Sequence, residues 1–311
     1  MDGVAPSVSQ VTTSTSYPSN TYRAGQSINV RVVFTETLDL SNVDETATFL
    51  TLLLDGGATN ATNVAAGSTG TYLIFTYLIQ AGDSTADLSY VDVFSLILGG
   101  TLTDVAGNTA SLTLPTPGDT NSLSAQRNIV IDGVAPTFSA FSVSSSGGLV
   151  LGEFVTITVT FTETLVISGS GQLKLTLSVG TTRTLTMTEA AGTNSTLYTF
   201  QYTVQTGDTS NALDVVSTAS LTCTTTVADV AGNTASLSLP APSTTGNSLG
   251  SFGITVDGIQ PTVVRVVTTS VDGIYGIGAA IGISVEFSEA VNVTNDAAVA
   301  LDSGGTAVYG K

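Results

Sequence analysis

A short acidic segment recurs three times in this chain of 311 residues and divides it into units of similar length. The copies lie at 2–6, 132–136 and 257–261, and each has an Asp-Gly pair with a proline four positions after the Asp. Their starts are 130 and 125 residues apart, a length that suits one small β domain per unit. The sequence therefore predicts three repeats joined at these segments, at 1-131, 132-256 and 257-311, with the third truncated to its N-terminal part.

The composition favours strands. Thr, Ser, Gly and Val dominate, and only 10% of the residues are charged, so helix-favouring side chains are scarce. Apolar residues occupy every second position of 28–34, which is the period of a half-buried strand. In repeat 1 the predicted strands are 6–11, 28–34, 49–54, 72–79, 88–98, 110–114 and 128–131. Repeat 2 gives the same order, including 235–239. About seven short strands separated by Gly and Asn turns predict an all-β fold of two-sheet sandwiches.

The charge balance excludes several partners. Acidic residues outnumber basic ones 24 to 7, giving a net charge of −17, and a surface of that sign repels nucleic acid and anionic lipid. The chain has no apolar run of about 18 residues, so no membrane insertion is expected. Cys223 is the single cysteine, which rules out an intramolecular disulfide and is typical of a small strand filler.

Besides the joint Asp, three acidic motifs repeat. A strand ends in Phe-Thr-Glu or Phe-Ser-Glu, a turn reads Gln-x-Gly-Asp, and the segment Asp-Val-Ala-Gly-Asn-Thr-Ala occurs unchanged at 104–110 and 229–235. Taken singly, each is most often a turn or a solvated strand end. Counting strands in alternating directions, however, brings the motifs from neighbouring repeats to one junction.

Carboxylates gathered at one junction without Lys or Arg repel each other unless a cation lies among them. Hard oxygen ligands, completed by backbone carbonyls and waters, describe calcium better than magnesium or zinc. The sequence therefore predicts Ca2+ at the junction of repeats 1 and 2, bound by Asp83, Asp132, Glu163 and Asp229, with Asn233 as a carbonyl donor or turn former.

Two incomplete versions of this site are predicted elsewhere. The junction of repeats 2 and 3 reuses Asp208, Asp257 and Glu289, without a contribution from the missing part of repeat 3. Near the N-terminus, Asp2, Glu36 and Asp104 form a half-site that lacks a preceding domain.

The ordered set of motifs resembles the tandem bacterial immunoglobulin-like repeats of very large surface and secreted adhesins. The resemblance covers the whole chain. It implies immunoglobulin-like (cadherin-like) β-sandwich domains in a linear array, forming an extracellular stalk that calcium stiffens in a manner similar to cadherin ectodomains. The chain departs from that pattern in its linker, which holds a single Asp such as Asp132 where a cluster is usual.

These patterns favour a structural spacer whose partners are adjacent repeats of the same chain. One alternative is a subunit of an extracellular filament or surface layer, in which strands of a neighbouring chain complete repeat 3. A glycan hydrolase with paired carboxylates and a carbohydrate-binding module are further alternatives. The chain has no His, and its acid pairs repeat identically in each domain, which is untypical of an active site. No enzymatic activity is therefore expected.

Overall fold

The structure, a computed structural model, describes residues 2–15, 20–63, 70–244, 246–295 and 297–310. These residues are nearly all in strands, turns and irregular segments, which confirms the all-β prediction. The helices described are α1, Leu123–Gln126, and a 3-10 helix, Leu249–Phe252. Neither has the length or the apolar character needed to cross a membrane.

The described residues of repeat 1 form twelve strands in three sheets. They are β1 Val8–Thr13, β2 Thr21–Tyr22, β3 Ser27–Phe34, β4 Leu38–Asp39, β5 Val43–Leu54, β6 Gly57–Asn63, β7 Tyr72–Leu78, β8 Ser84–Thr85, β9 Ser89–Tyr90, β10 Leu96–Gly100, β11 Thr103–Asp104 and β12 Val130–Asp132. The main sheet has the order β1-β3-β7-β6-β5-β10, with β9 on β5. Strand β12 lies between β2, which it pairs with in parallel, and the antiparallel β8.

The alternating sequence of β3 explains its place in this sheet. Ile28, Val30, Val32 and Phe34 are buried, while the residues between them are half-buried and face away from the core. The same alternation recurs along β5 and β7. Together the buried faces form one hydrophobic core.

Repeat 2 has a second core and three small sheets. Its strands are β13 Phe138–Val143, β14 Gly148–Val150, β15 Phe154–Ile167, β16 Leu173–Ser178, β17 Thr182–Thr186, β18 Ser195–Thr203, β19 Thr209–Ser210, β20 Asp214–Val215, β21 Leu221–Cys223, β22 Val227–Ala228 and β23 Thr255–Asp257. The sheets run β13-β15-β18 with β22 on β15, β17-β16-β20 with β21 on β16, and β14-β23-β19. Buried side chains of the first two sheets meet in one core.

The two cores end close to the joints. The last buried residue of the first core is Ile131, directly before Asp132, and that of the second is Val256, directly before Asp257. Each joint Asp is also the last residue of its strand, β12 or β23. The repeat boundaries themselves stay a prediction.

The described residues after Asp257 form two hairpins without a core. Strand β24, Val263–Thr268, pairs with β25, Ile283–Phe287, and β26, Ala298–Ala300, pairs with β27, Thr306–Val308. No hydrophobic side chain of these residues is buried.

Three strand predictions are wrong. The run 88–98 is divided into β9 and β10 by a turn in which Asp92 accepts from the Phe94 N–H, 2.8 Å, and Ser95 donates to the Asp92 carbonyl. This local side-chain bond competes with the strand ladder. The segments 110–114 and 235–239 form no regular strand. Among the described residues a single bridge, Ser7 with Ser111, joins the first segment to a neighbour, and no bridge involves the second.

Candidate functional site

The structure brings three carboxylates together at the junction of repeats 1 and 2. Asp132, Glu163 and Asp229 each offer an oxygen, and these oxygens lie within 4.8 Å of one another. We call this group the joint triad. Its sequence equivalents Asp2, Glu36 and Asp104 form a group of the same size, the N-terminal triad.

The joint triad consists of the joint Asp and two acids from within repeat 2. Asp132 ends β12, which pairs with Thr85 and Ser84 of repeat 1. Glu163 lies in β15 of repeat 2, which continues past it to pair with β22. Asp229 directly follows β22. The triad therefore lies at the joint, where a strand paired with repeat 1 ends.

A five-residue turn positions Asp229. Its carboxylate accepts from the backbone N–H of Gly232, 2.6 Å, and of Asn233, 2.8 Å, and from the Asn233 side-chain amide, 2.7 Å. Gly232 has φ +96°, a conformation that glycine adopts readily. The unchanged motif at Asp104 makes the corresponding bonds with Asn108.

The hydroxyl residue before each Glu bonds its strand to a neighbouring segment. Thr162 accepts from the Thr137 N–H through its hydroxyl, 3.0 Å, and donates its own N–H to the Thr137 carbonyl, 2.9 Å. Thr35 and Ser288 make the same pair of bonds in the other repeats. The motif thus ties its strand to the segment that follows the joint. Strands β3 and β25 end at the Phe of the motif as predicted, but β15 continues past Glu163, so the predicted strand end is wrong in repeat 2.

A backbone clasp holds the joint against repeat 1. Gly133 donates to the Asp83 carbonyl, 2.7 Å, and accepts from the Gly82 N–H, 2.8 Å. A Cβ on Gly133 would lie 2.6 Å from the Gln80 carbonyl oxygen, so only glycine fits without displacement. Gly258 repeats the clasp at the next joint, where a Cβ would meet the Gln205 oxygen at 2.2 Å.

The joint triad carries uncompensated negative charge. Burial, followed by the negative charge of Asp229, raises the pKa of Asp132. Burial, then Asp132 and Asp229, raises the pKa of Glu163. Neither ion pair among the described residues, Arg183 with Asp208 or Arg265 with Glu286, involves a triad member. In the N-terminal triad, burial, Asp2 and Asp104 raise the pKa of Glu36, whereas the Asn108 side-chain hydrogen bond lowers the pKa of Asp104.

Asp83 lies outside the joint triad. Its carboxylate accepts from the Tyr77 hydroxyl and from the Gln80 N–H, the latter at 2.6 Å, and its backbone carbonyl takes part in the clasp. The carboxylate therefore closes its own turn. The tyrosine six residues before the Asp, repeated as Tyr202 before Asp208, was the sequence signal for this arrangement.

Asp208 is likewise engaged by protein donors. It is fully buried and accepts from the Arg183 guanidinium, from the Tyr202 hydroxyl at 2.8 Å and from the Gln205 N–H at 3.0 Å. Although burial raises the pKa of Asp208, Arg183, the Gln205 N–H and Tyr202 together lower it. Arg183 approaches from β17, a contact that the repeated motifs do not contain.

Asp208, Asp257 and Glu289, which were predicted to form a site at the second junction, do not form a carboxylate cluster among the described residues. Asp257 is exposed and accepts from the Ile259 N–H, 3.1 Å. One carboxylate oxygen of Glu289 is buried without a hydrogen-bond partner in the described part of the chain. Asp2 and Asp132 make the same turn bond as Asp257, to Val4 and Val134.

Asn233 is buried at the joint, with 5% of its surface exposed. Its amide nitrogen donates to the Asp132 carbonyl, 2.7 Å, as well as to Asp229, and its side-chain oxygen accepts from the Ala24 N–H of repeat 1, 3.2 Å. The Asn233 side-chain oxygen, which was predicted to bind the cation, thus already accepts a hydrogen bond from the protein. The predicted role of Asn233 as a turn former is seen in its bonds to Asp229.

The donor set of the joint triad suits a hard divalent cation. Carboxylate oxygens are the ligands that calcium prefers, at 2.3–2.6 Å, so two ligands on one ion lie at most about 5 Å apart. The spacing within 4.8 Å meets that limit. Asp132, Glu163 and Asp229 are the residues that would hold the ion. The ion would cancel their mutual repulsion.

No protein-family model matches this chain, and no curated protein matches it. Among solved structures, the chain is similar to the surface layer protein SbsC, domains 1-6, with 11% identity and a TM-score of 0.16 over 99% of this chain and 67% of that chain. The S-layer protein rSbsC gives 10% identity and a TM-score of 0.16 over the same shares. A TM-score of this size carries no argument about fold or function.

Proposed function

We propose that this chain is a structural spacer of an extracellular, adhesin-like repeat protein, built from tandem immunoglobulin-like domains and stiffened by calcium at their junctions. The observation that carries the proposal is the joint triad. Its oxygens come from the joint Asp, at the end of a strand that pairs with Ser84 and Thr85, and from two elements of repeat 2. One cation bound there would tie the joint to repeat 2, while the Gly133 clasp ties the same joint to repeat 1.

The physical role of the cation follows from the charges. The carboxylate oxygens of Asp132, Glu163 and Asp229 lie close together, and none of these residues forms an ion pair among the described residues. Without a cation their repulsion favours separation of the repeats, and with one the same charges favour closure. The proposed function is therefore mechanical: reach and stiffness.

Thermal unfolding and small-angle scattering test this proposal, each with calcium and then with chelator. At a calcium concentration of 100 times Kd, binding stabilises the folded state by about 2.7 kcal/mol. We expect a higher melting temperature and a narrower range of particle dimensions with calcium than with chelator. Asp132→Asn keeps the turn acceptor but removes a charge, so it should abolish most of both effects.

Asp2→Asn is the matched control, because Asp2 occupies the equivalent position in the N-terminal triad. It should leave the dependence of particle dimensions on calcium unchanged. If chelation alters neither the melting temperature nor the dimensions of the wild-type protein, the calcium junction is wrong.

An exposed apolar surface favours a second candidate, a filament or surface-layer subunit. Val263, Val264, Val266 and Val267 of β24 are all exposed, and no core covers them among the described residues. Strands from a second copy of the chain would bury this surface and pair its edges. Sedimentation at high protein concentration with calcium separates the candidates, since a persistent monomer excludes assembly through these strands.

A further inference from the structure

Asn233 connects the two repeats through its side chain. Its amide nitrogen donates to Asp229 within repeat 2 and to the carbonyl of Asp132, and its oxygen accepts from the Ala24 N–H. Asn233 and Ala24 are 209 positions apart in the chain. One side chain thus bonds to the last strand of repeat 1, to a turn of repeat 1 and to its own turn.

The neighbours determine which way the amide points. A backbone N–H such as that of Ala24 can only donate, whereas the Asp132 carbonyl and an ionised Asp229 can only accept. Reversing the amide would place like groups against each other at all three contacts. The bond across the joint is therefore specified by chemistry as well as by distance.

The donor belongs to a rigid turn at 23–26. Gln26 donates its N–H to the Arg23 carbonyl, 3.2 Å, and accepts from the Arg23 N–H through its side chain, 2.9 Å. Gly25 has φ +82°, the value of the third residue of a type II turn, which places Ala24 at the second position. Arg23 lies against the turn of Asn233, since a Cβ on Gly232 would meet its Cδ at 3.2 Å.

Asn108 of repeat 1 is the equivalent of Asn233, but no turn of another repeat lies against it among the described residues. Asn108 donates to Asp104, 2.7 Å, and to the Asp2 carbonyl, 3.4 Å, as Asn233 does to its equivalents. Among the described residues no donor reaches the Asn108 side-chain oxygen, and Asn108 is only half-buried, while Asn233 is buried. The internal bonds therefore do not require the bond across the joint, which is an additional contact.

We propose that Asn233 is a docking latch: it holds repeat 2 on the type II turn of repeat 1 through a direct hydrogen bond that needs no cation. The latch does not rest on the calcium proposal, because all its bonds are between protein groups. It limits the relative rotation of the repeats when calcium is absent. Calcium at the joint triad then acts on repeats that are already aligned.

Two variants remove the latch from opposite sides. Ala24→Pro deletes the donor N–H, and proline suits the second position of a type II turn. Asn233→Ala deletes the acceptor together with the bonds to Asp132 and Asp229. Each variant has a matched control. The control for Ala24→Pro is Leu151→Pro, in the equivalent turn of repeat 2, where Gly152 has φ +85° and the Glu153 N–H donates to the Val150 carbonyl. The control for Asn233→Ala is Asn108→Ala in repeat 1.

The measurement is the distance distribution between two nitroxide labels on the full chain in chelator. Labels are attached through Ala58→Cys and Ser170→Cys, both at exposed positions, with Cys223→Ser removing the native thiol. We expect the distribution to become at least twofold wider in Ala24→Pro and Asn233→Ala, and to keep its width in both controls. Circular dichroism melting checks that each variant is folded, and Ala24→Pro remains informative if Asn233→Ala unfolds repeat 2.

Unchanged widths in folded Ala24→Pro would overturn the latch, and so would equal broadening in Leu151→Pro, which would indicate damage to the turn itself. A second titration with calcium tests the other proposal separately. If calcium has no effect but Ala24→Pro broadens the distribution in chelator, the latch stands and the calcium junction fails. If calcium narrows the distribution but Ala24→Pro leaves its width in chelator unchanged, the calcium junction stands and the latch fails.

Discussion

In repeat 2, Asp229 lies in a group of three carboxylates without a basic partner, whereas Asp208 lies beneath Arg183 and accepts from Tyr202 and Gln205. Both residues belong to motifs that recur in repeat 1, and both are buried. The difference is in their surroundings. Protein donors compensate the charge of Asp208, so its turn is complete, while the triad keeps oxygens available to a cation.

This contrast separates structural acids from candidate ligands. A buried carboxylate that is paired and hydrogen-bonded needs no ion. A cluster that contains Asp132 and Glu163, whose pKa values are raised by burial and by neighbouring carboxylates, favours either protons or a cation. Four predictions test the contrast, and they are ordered from the largest expected effect to the smallest.

The largest effect is expected from Asp208→Ala. The change leaves Arg183, the Tyr202 hydroxyl and the Gln205 N–H without their acceptor, which should cost about 3–5 kcal/mol of unfolding free energy. Asp83→Ala is the matched variant and should cost less, because no Arg pairs with Asp83 among the described residues. Urea unfolding should give the same losses with calcium and with chelator. A loss seen only with calcium would make Asp208 a ligand.

The second effect concerns the clasp beside the joint triad. In Gly133→Ala the new Cβ would lie 2.6 Å from the Gln80 oxygen, so the backbone must shift, at about 2 kcal/mol. Gly3→Ala is the control, because no heavy atom lies within 4 Å of its Cβ, and it should stay within about 0.5 kcal/mol. Thermal unfolding measures both, and hydrogen exchange at the Gly82 amide shows whether the clasp opens. Equal effects of the two changes would contradict this account.

The third prediction concerns how the stability contributed by Asp208 depends on pH. The pKa of Asp208 is lowered on folding, so the stability that it contributes is present above the ordinary pKa of Asp, about 3.9, and is lost as the pH falls through the folded value. Arg183→Gln removes much of the cause. The difference in unfolding free energy between wild type and this variant should therefore be largest near neutral pH and shrink on acidification. A difference that does not vary with pH would mean that the ion pair is not its source.

The smallest effect is expected in chelator at the triad itself. Glu163→Gln removes one of three like charges, and the Glu163 side chain makes no hydrogen bond among the described residues. The change should therefore stabilise the calcium-free protein by up to about 1 kcal/mol. The same change should weaken the response to calcium. Glu36→Gln in the N-terminal triad should act in the same direction on repeat 1. Destabilisation in chelator would show that Glu163 has a structural role of the Asp208 kind.

Much of the fold and of the triads could be predicted from the sequence. Alternation along β3 predicts its buried face because side chains of a strand point alternately to opposite sides. The triad positions follow from local devices, such as the Asp229 turn and the Thr162 hydroxyl, which recur with the motifs themselves. The division of 88–98 by Asp92 was missed because a turn bond there competes with the strand pattern.

The sequence by itself determined the all-β character and which acids stand in turns, because these depend on contacts between near neighbours in the chain. Only the tertiary structure decided what each acid faces. Arg183 reaches Asp208 from another strand, and Asn233 reaches Ala24 in the preceding repeat. Such contacts join positions that are distant in the chain and produce no periodic pattern in the sequence. Acids in repeated motifs can therefore be fully paired with protein donors, as Asp208 is, or form part of a carboxylate cluster, as Asp229 does.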